Sequence, residues 1–461
     1  MMTNRRFKML ELEIKNLSKM QLETFLIVFF AVLFFAALPS ISYSKTLTVG
    51  VDYANIGDAL EKADDGDVIE VMSGQYKERL TIDKSVHIKG VGNPVLSISN
   101  GDIVVISKPD VIFEGFTLTY DSTDLSSSDT AVRILKGASG TTVRNNQLLN
   151  VMFGIWNVES RDIRIENNVI VGIKGLGTHK RGNCINLTGS QNVYISGNSL
   201  SNCRDGIYME LCHDAIVVEN EIHNSRYSVH TMWVDRGVFS NNIAYDNLVG
   251  LAIMYTEHSE INDNLSYGNS THGLLFIQSV RSEITGNTVI GNTKGIFLYN
   301  SVYNEFTSNL IMNNQLGIHS WGGSEDNRMN GNSFINNEVQ VKFLAGKNQI
   351  WDSNYWSDYI GWDMTGDGKG DVNYESNTVV DFILWKFPLA KMLYTSPSLQ
   401  MLWMLEKQFP VFEVPKVIDG KPAMSPLHAN WKELRDKYAS YTPERIYGEI
   451  EKMPHMPGGH H

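Results

Sequence analysis

The sequence predicts an all-β chain wound as a parallel β-solenoid, and three observations carry the prediction. An apolar-x-x-Asn frame recurs as VRNN, IENN, ISGN, VVEN, FSNN, INDN, ITGN, FTSN and MNGN, ending at Asn146, Asn168, Asn198, Asn220, Asn242, Asn264, Asn287, Asn309 and Asn332. The steps between these asparagines are 22, 30, 22, 22, 22, 23, 22 and 23 residues, too short for a helix pair and too regular for a sandwich. About eight residues after each comes a second apolar triplet, usually opened by glycine: GIW (154–156), GIY (206–208), SVH (228–230), GLA (250–252), GLL (273–275), GIF (295–297) and GIH (317–319). Two or three short strands per repeat of about 22 residues, separated by Gly, Asn and Asp turns, describe one coil. Equivalent residues then stack about 4.8 Å apart from coil to coil.

Taken in order, the elements begin with a targeting segment. Arg5, Arg6, Lys8, Lys15 and Lys19 precede the apolar run FLIVFFAVLFFAAL (25–38), which is shorter than the roughly 20 residues of a membrane span. With the small residues Ser42 and Ser44 behind it, the stretch 1–44 reads as a secretory signal and the mature chain as starting near Lys45. An internal start at Met9 or Met20, or an uncleaved anchor, are the alternatives. IGDALEKA (56–63) has the apolar spacing of a short helix suited to capping the open end of a solenoid whose coils fill 45–345.

The insertion VGIKGLGTHKRGN accounts for the step of 30. The asparagine column reads as an internal ladder at a tight turn, because a stacked amide both donates and accepts and Asn tolerates left-handed backbone. Residues 346–380 form a Trp/Asp/Gly-rich end. Residues 381–428, with Trp385 and Trp403, are too apolar for a linker and too interrupted for a span, and read as an apolar, helical docking extension. The polar tail 429–461 ends in MPHMPGGHH, either a disordered end or a metal-catching one through Met453, His455, Met456, His460 and His461.

Composition narrows the function classes. A hydrophobic fraction of 42% with 20% charged residues excludes a mostly disordered chain. The net charge of −12, with basic residues scattered beyond the N-terminus, leaves no groove for nucleic acid. Three cysteines, Cys184, Cys203 and Cys212, are too few for a disulfide framework, and the odd count leaves at least one thiol unpaired within the chain. Burial is the simplest reading of each.

With the register fixed, the outside of the second strand becomes a readable surface. One outward column is Trp156, Tyr208, His230, Ala252, Leu275, Phe297 and His319; the next is Val158, Glu210, Met232, Met254, Ile277, Tyr299 and Trp321. An apolar and aromatic stripe of this extent marks a contact surface, with Trp156, Tyr208, Phe297, His319 and Trp321 as its interface residues. In YSVHTMWV (227–234), Val229, Thr231 and Trp233 are expected to face inward and His230 and Met232 outward. Met232 and Met254 fall at one position on adjacent coils, and thioethers with an imidazole suit Cu(I). Methionine filling an adaptable interface is the competing explanation.

A carbohydrate enzyme, a polysaccharide lyase or C5-epimerase acting on uronate polymers, is the rival reading. It would use Tyr208, His230 and Glu210 with Asp235, Glu257 and His258 on the following turns. The columns lack the Lys and Arg that an acidic sugar calls for, and no Asp-Pro-His motif occurs. Near the C-terminus, Asp363, Asp367 and Asp371 with Gly368 imitate a calcium loop, although Thr365 and Tyr374 replace usual ligands.

The order of signal, asparagine-rich solenoid, NYWSDYIGWDMTGDGKGDVNYE (354–375) and DFILWKFPLAKMLYTSPSLQMLWMLEKQFPVF resembles the NosD family of nitrous-oxide-reductase maturation proteins, over nearly the whole mature chain to about His428. That resemblance implies a right-handed parallel β-helix in the periplasm. It also implies an ABC-type ATPase and a membrane permease as partners, and copper received from a small periplasmic chaperone for nitrous oxide reductase. No GxxxxGK[ST] motif is present, so energy would come from the partner ATPase. The resemblance assigns no copper ligands; His230, Met232 and Met254 rest on the stacking argument.

Overall fold

The computed structural model describes residues 44–122, 128–343, 348–376 and 416–441, with residues 9, 396–398, 401 and 404–405. Trp385, Trp403, the signal apart from Met9 and Ser44, and the Met/His-rich end therefore lie outside the described residues. Each coil supplies three strands, one to each of three parallel sheets that hold 16, 12 and 13 strands among the described residues. A typical coil runs Val238–Ser240, Ile243–Tyr245 and Val249–Glu257. Strand alternation turns Phe239, Ala244, Leu251 and Ile253 inward, all fully buried. Burial stabilises by roughly 2 kcal/mol per large apolar side chain, so the interior, repeated coil after coil, holds the solenoid together.

The asparagine column forms the expected ladder. Asn220 donates through its backbone N–H and Nδ2 to Asn242 Oδ1 at 3.1 and 3.0 Å, and Asn242 repeats both bonds to Asn264 at 3.0 Å. The ladder ends on buried Asp419, which accepts from the backbone N–H and Nδ2 of Asn354 at 2.9 and 3.0 Å. One detail differs from the sequence argument. The left-handed residue at this corner is the one before the ladder asparagine, such as Asn145, Asn167, Glu219, Asn241, Asp263 and Ser308. A second ladder, Asn247, Asn269, Asn292, Asn314 and Asn337, holds the next corner. The glycines that open the face strands have a steric cause: a Cβ on Gly250 would lie 2.2 Å from Gly273 O, and one on Gly206 2.6 Å from Ser228 O.

Both ends are closed. The helix Ile56–Lys62 buries Ile56, Ala59 and Leu60, with Asn55 as its N-cap. Glu78 accepts the N–H groups of Ile56 and Gly57 at 2.8 and 2.9 Å, and Lys84 Nζ donates to the carbonyls of Leu60, Glu61 and Ala63. At the other end Val417–Asp419 pairs in parallel with Ile350–Asp352 and antiparallel with Tyr374–Ser376. The tail is not polar throughout: the helix Trp431–Lys437 and the turn after it pack Tyr438, Leu434 and Tyr441 onto Ile290, Leu310 and Met312.

The reading that burial alone explains each cysteine is corrected for two of them. Cys184 and Cys203 form a disulfide that ties the insertion-bearing coil to the next, and Cys212 stays free and buried. A disulfide fits an oxidising compartment.

Candidate functional site on the outer face

The sheet of 12 strands presents both outward columns in the expected register. Tyr208 pairs with His230, His230 with Ala252, Ala252 with Leu275, Leu275 with Phe297 and Phe297 with His319. Glu210 pairs with Met232 and Met232 with Met254. Asn186, on the insertion-bearing coil, stands between Trp156 and Tyr208. This face is not a simple solvated surface: Tyr227, Val249, Ala252, Met254 and Leu275 form an apolar cluster of their own, against which Met232 and Phe297 pack.

His230 is the most constrained side chain on it. Its Nδ1 lies 2.9 Å from Asp205 Oδ2, and the same carboxylate accepts from Arg226 Nε and Nη2 at 2.8 and 2.6 Å. Tyr208 and Tyr227 hold the ring by their edges, at centroid distances of 5.0 and 4.8 Å. Asp205 is 1% exposed. Burial pushes its carboxyl up, but the hydrogen bonds from His230 and Arg226 outweigh that and leave it below the usual carboxylate range. An ionised carboxylate only accepts, so Nδ1 of His230 turns an N–H toward it, and Nε2 has no partner among the described residues. A carboxylate behind one imidazole nitrogen, with the other left open, is the second-shell arrangement of a metal-ligating histidine. Met232, partly exposed, lies two residues along the same strand as His230, and Met254, 8% exposed, stands beside it on the next strand. Asp205 and Arg226, both absent from the sequence argument, complete the site.

Trp233 is a correction. It faces out, 48% exposed, and Val234 takes the interior place. The cause is a left-handed residue inside the strand: Trp233 has φ 55° and its neighbour Tyr255 φ 52°, which reverses the alternation. Their rings stack 5.1 Å apart beside the methionine pair. Leu211 has φ 54° at the preceding coil, whereas the flanking coils place Gly189, Gln278 and Asn300 at their left-handed positions. The remaining interface residues lie along the same face. Trp156 stacks under Arg133 at 4.7 Å, His319 meets Phe297 at 5.1 Å, and Trp321 is half exposed and meets Tyr299 at 5.9 Å.

The enzyme constellation fares less well. Burial, then Glu210 beside it, push the Tyr208 phenol up to about 12, so it stays protonated where a base is needed. Asp235 contacts His258 Nδ1 at 3.3 Å and pairs with Arg236, outside the His230 group. In the aspartate loop, Asp363 accepts the N–H groups of Gly366 and Gly368 at 2.6 and 2.8 Å, and Asp371 that of Met364 at 2.6 Å. Those carboxylates are turned onto their own loop. Among the described residues no three His, Cys, Asp or Glu side chains converge as a metal-holding group.

Comparison with known proteins places these observations. The family model of the periplasmic copper-binding protein (NosD) matches residues 171–361. A probable ABC transporter binding protein NosD from Stutzerimonas stutzeri is 35% identical over 372 residues, covering 76% of this chain and 85% of that protein. Its counterpart from Pseudomonas aeruginosa is 33% identical over 371 residues, covering 76% and 87%. Among solved structures, the A-module of the Azotobacter vinelandii mannuronan C-5 epimerase AlgE6 superposes with a TM-score of 0.53 at 13% identity, over 64% of this chain and 92% of that one. A PL6 alginate lyase in complex with a trisaccharide gives 0.52 at 13%, over 70% and 87%. Identity at that level speaks for a shared β-helix fold alone.

Proposed function

This chain belongs to the NosD family, and from that premise we propose that it is a periplasmic carrier of Cu(I) working with an ABC-type transporter, its copper held by His230, Met232 and Met254. The observation that supports the site most directly is the open Nε2 of His230, fixed by Asp205 and set beside two methionines in register. Two thioethers and one neutral imidazole are soft, uncharged donors, a set that favours Cu(I) over harder cations. The surrounding apolar cluster keeps water from competing, and Met232, the more exposed of the pair, offers the face from which copper arrives and leaves.

The finer assignment follows the family. Copper is received from a small periplasmic chaperone and passed toward nitrous oxide reductase, while the permease and its ATPase supply the work that this chain has no motif to supply. The apolar segment 381–428 is the permease-docking element in this reading; of it, residues 396–398, 401, 404–405 and 416–428 are described, and the strand Val417–Asp419 adds to the end of the solenoid. A uronate lyase or epimerase finds less support, because Tyr208 is no base at neutral pH and the curated relatives are named binding proteins.

Cu(I) titration against a chromogenic chelator tests the site. Met232→Ala/Met254→Ala should bind at least tenfold more weakly than the parent, and equal affinity in both would sink the assignment. Co-purification with the neighbouring membrane proteins, followed by metal analysis, tests the transporter link.

A further inference from the structure

Two to four strands beyond His230 the same outer face carries a second group of nitrogen side chains. Lys294 lies in register between His272 and Leu316, and its Nζ sits 4.7 Å over the Phe297 ring. His272 and His319 flank that ring, with centroids at 5.2 and 5.1 Å. Both imidazoles are buried, and none of their four ring nitrogens has a hydrogen-bond partner. Lys294 has no carboxylate partner among the described residues, and no acid appears among the charges that act on it. Buried polar groups are hydrogen-bonded, so two imidazoles left this way, beside a half-buried lysine, point to a missing partner. Water would satisfy a nitrogen but would not answer the charge.

The sign of the field identifies the partner. The charged groups acting on His319 are Lys294 and Lys342, and those acting on His272 are Lys294 and His319; each pushes the imidazole down, in the same direction as burial. A metal cation would be repelled there, and Phe297 stands between the rings, so a single ion would be held by Lys294 and would meet one imidazole at a time. An anion meets an ammonium and N–H donors instead. One unpaired lysine with neutral imidazoles balances one negative charge, and a carboxylate supplies that charge on two acceptor oxygens. We propose that Lys294, His272 and His319 form a carboxylate-binding site on the outer face of the solenoid. His272, the nearest member, lies two strands from the strand of His230, about 10 Å at the spacing of a sheet, so one small ligand does not reach both sites. The proposal does not depend on copper binding.

The test uses the full chain with 15N-labelled histidine, the ring signals assigned from His272→Gln and His319→Gln. Sodium acetate should move the His272 and His319 signals saturably, sodium chloride at equal ionic strength should not, and His230 should stay still. Lys294→Met should weaken the acetate response at least tenfold. A blocked hexapeptide with one central glutamate forms the second arm: binding at least tenfold tighter than acetate identifies the partner as an acidic side chain of a polypeptide, and equal or weaker binding identifies a small free carboxylate. No saturable shift with either carboxylate, or a response unchanged in Lys294→Met, overturns the proposal. Should Lys294→Met fail to fold, the titration of the parent chain with acetate against chloride decides alone.

Discussion

Replacing Asp205 by Asn keeps the shape of the site and removes the charge that organises it. The carboxylate accepts three hydrogen bonds, two from Arg226 and one from His230. An amide oxygen in the place of Oδ2 still accepts from Arg226 Nη2 and His230, but its NH2 then faces Arg226 Nε, donor against donor. If its NH2 faces Nδ1, the imidazole must move its proton to Nε2, which closes the position that copper needs. Breaking a buried ion pair costs about 3–5 kcal/mol. The Arg226 side chain is 25% exposed and recovers some hydration, so about 2–3 kcal/mol is the expectation here. Loss of a carboxylate behind a metal-ligating histidine weakens metal binding by about 10–100-fold. Chelator competition for Cu(I), at a temperature where circular dichroism shows the variant folded, measures the effect. Affinity within about threefold of the parent would refute the role given to Asp205. Acid gives a second reading of the same group. Its folded carboxyl sits below the unfolded value, so its stabilisation is present above about pH 4 and is lost as pH falls through the folded value.

Two further outcomes concern the scaffold. Asn264→Ala removes the acceptor for Asn242 and two donated bonds, to Phe239 O and to Asn287 Oδ1, and should lower unfolding stability by about 2–4 kcal/mol in urea titration. Burial, then Lys294 and Lys342, push the His319 imidazole from 6.5 down to about 3. The unfolded chain takes up that proton first, so stability falls from pH 6.5 toward pH 3 by about 1.4 kcal/mol per pH unit. His319→Phe should recover about 2 kcal/mol of the difference between pH 7 and pH 5, measured by urea midpoints.

The period of 22 made most of the solenoid legible, because a stacked register turns sequence positions into neighbours. His230 over Tyr208 and Met232 over Met254 followed from counting alone. Trp233 did not, since a left-handed residue within a strand reverses the alternation without leaving a glycine to announce it. The second asparagine ladder was in view, at five residues after each frame asparagine from Asn242 onward, but the sequence argument followed the frame asparagines alone. Asp205 was missed for another reason: it precedes the opening glycine of its strand, and its tie to His230 crosses coils diagonally. The disulfide was illegible because the insertion disguises Cys184 and Cys203 as unrelated positions 19 residues apart.

The meeting of Asn354 with Asp419 has a chemical meaning for the molecule as a whole. Every asparagine in the ladder receives from one side and gives to the other, so the series is directional and each member invites a successor. A carboxylate receives and gives nothing onward. Asp419 takes the Asn354 amide and the Trp356 indole N–H, at 3.1 Å, on one oxygen, and Ser353 N–H, also at 3.1 Å, on the other. At this corner the Asp419 side chain has no donor left to greet a further coil, whether an added repeat or the end of a second copy. The asparagine series thus stops at one side chain, and a coil stacked beyond it would go without the bond that holds its neighbours at the corner.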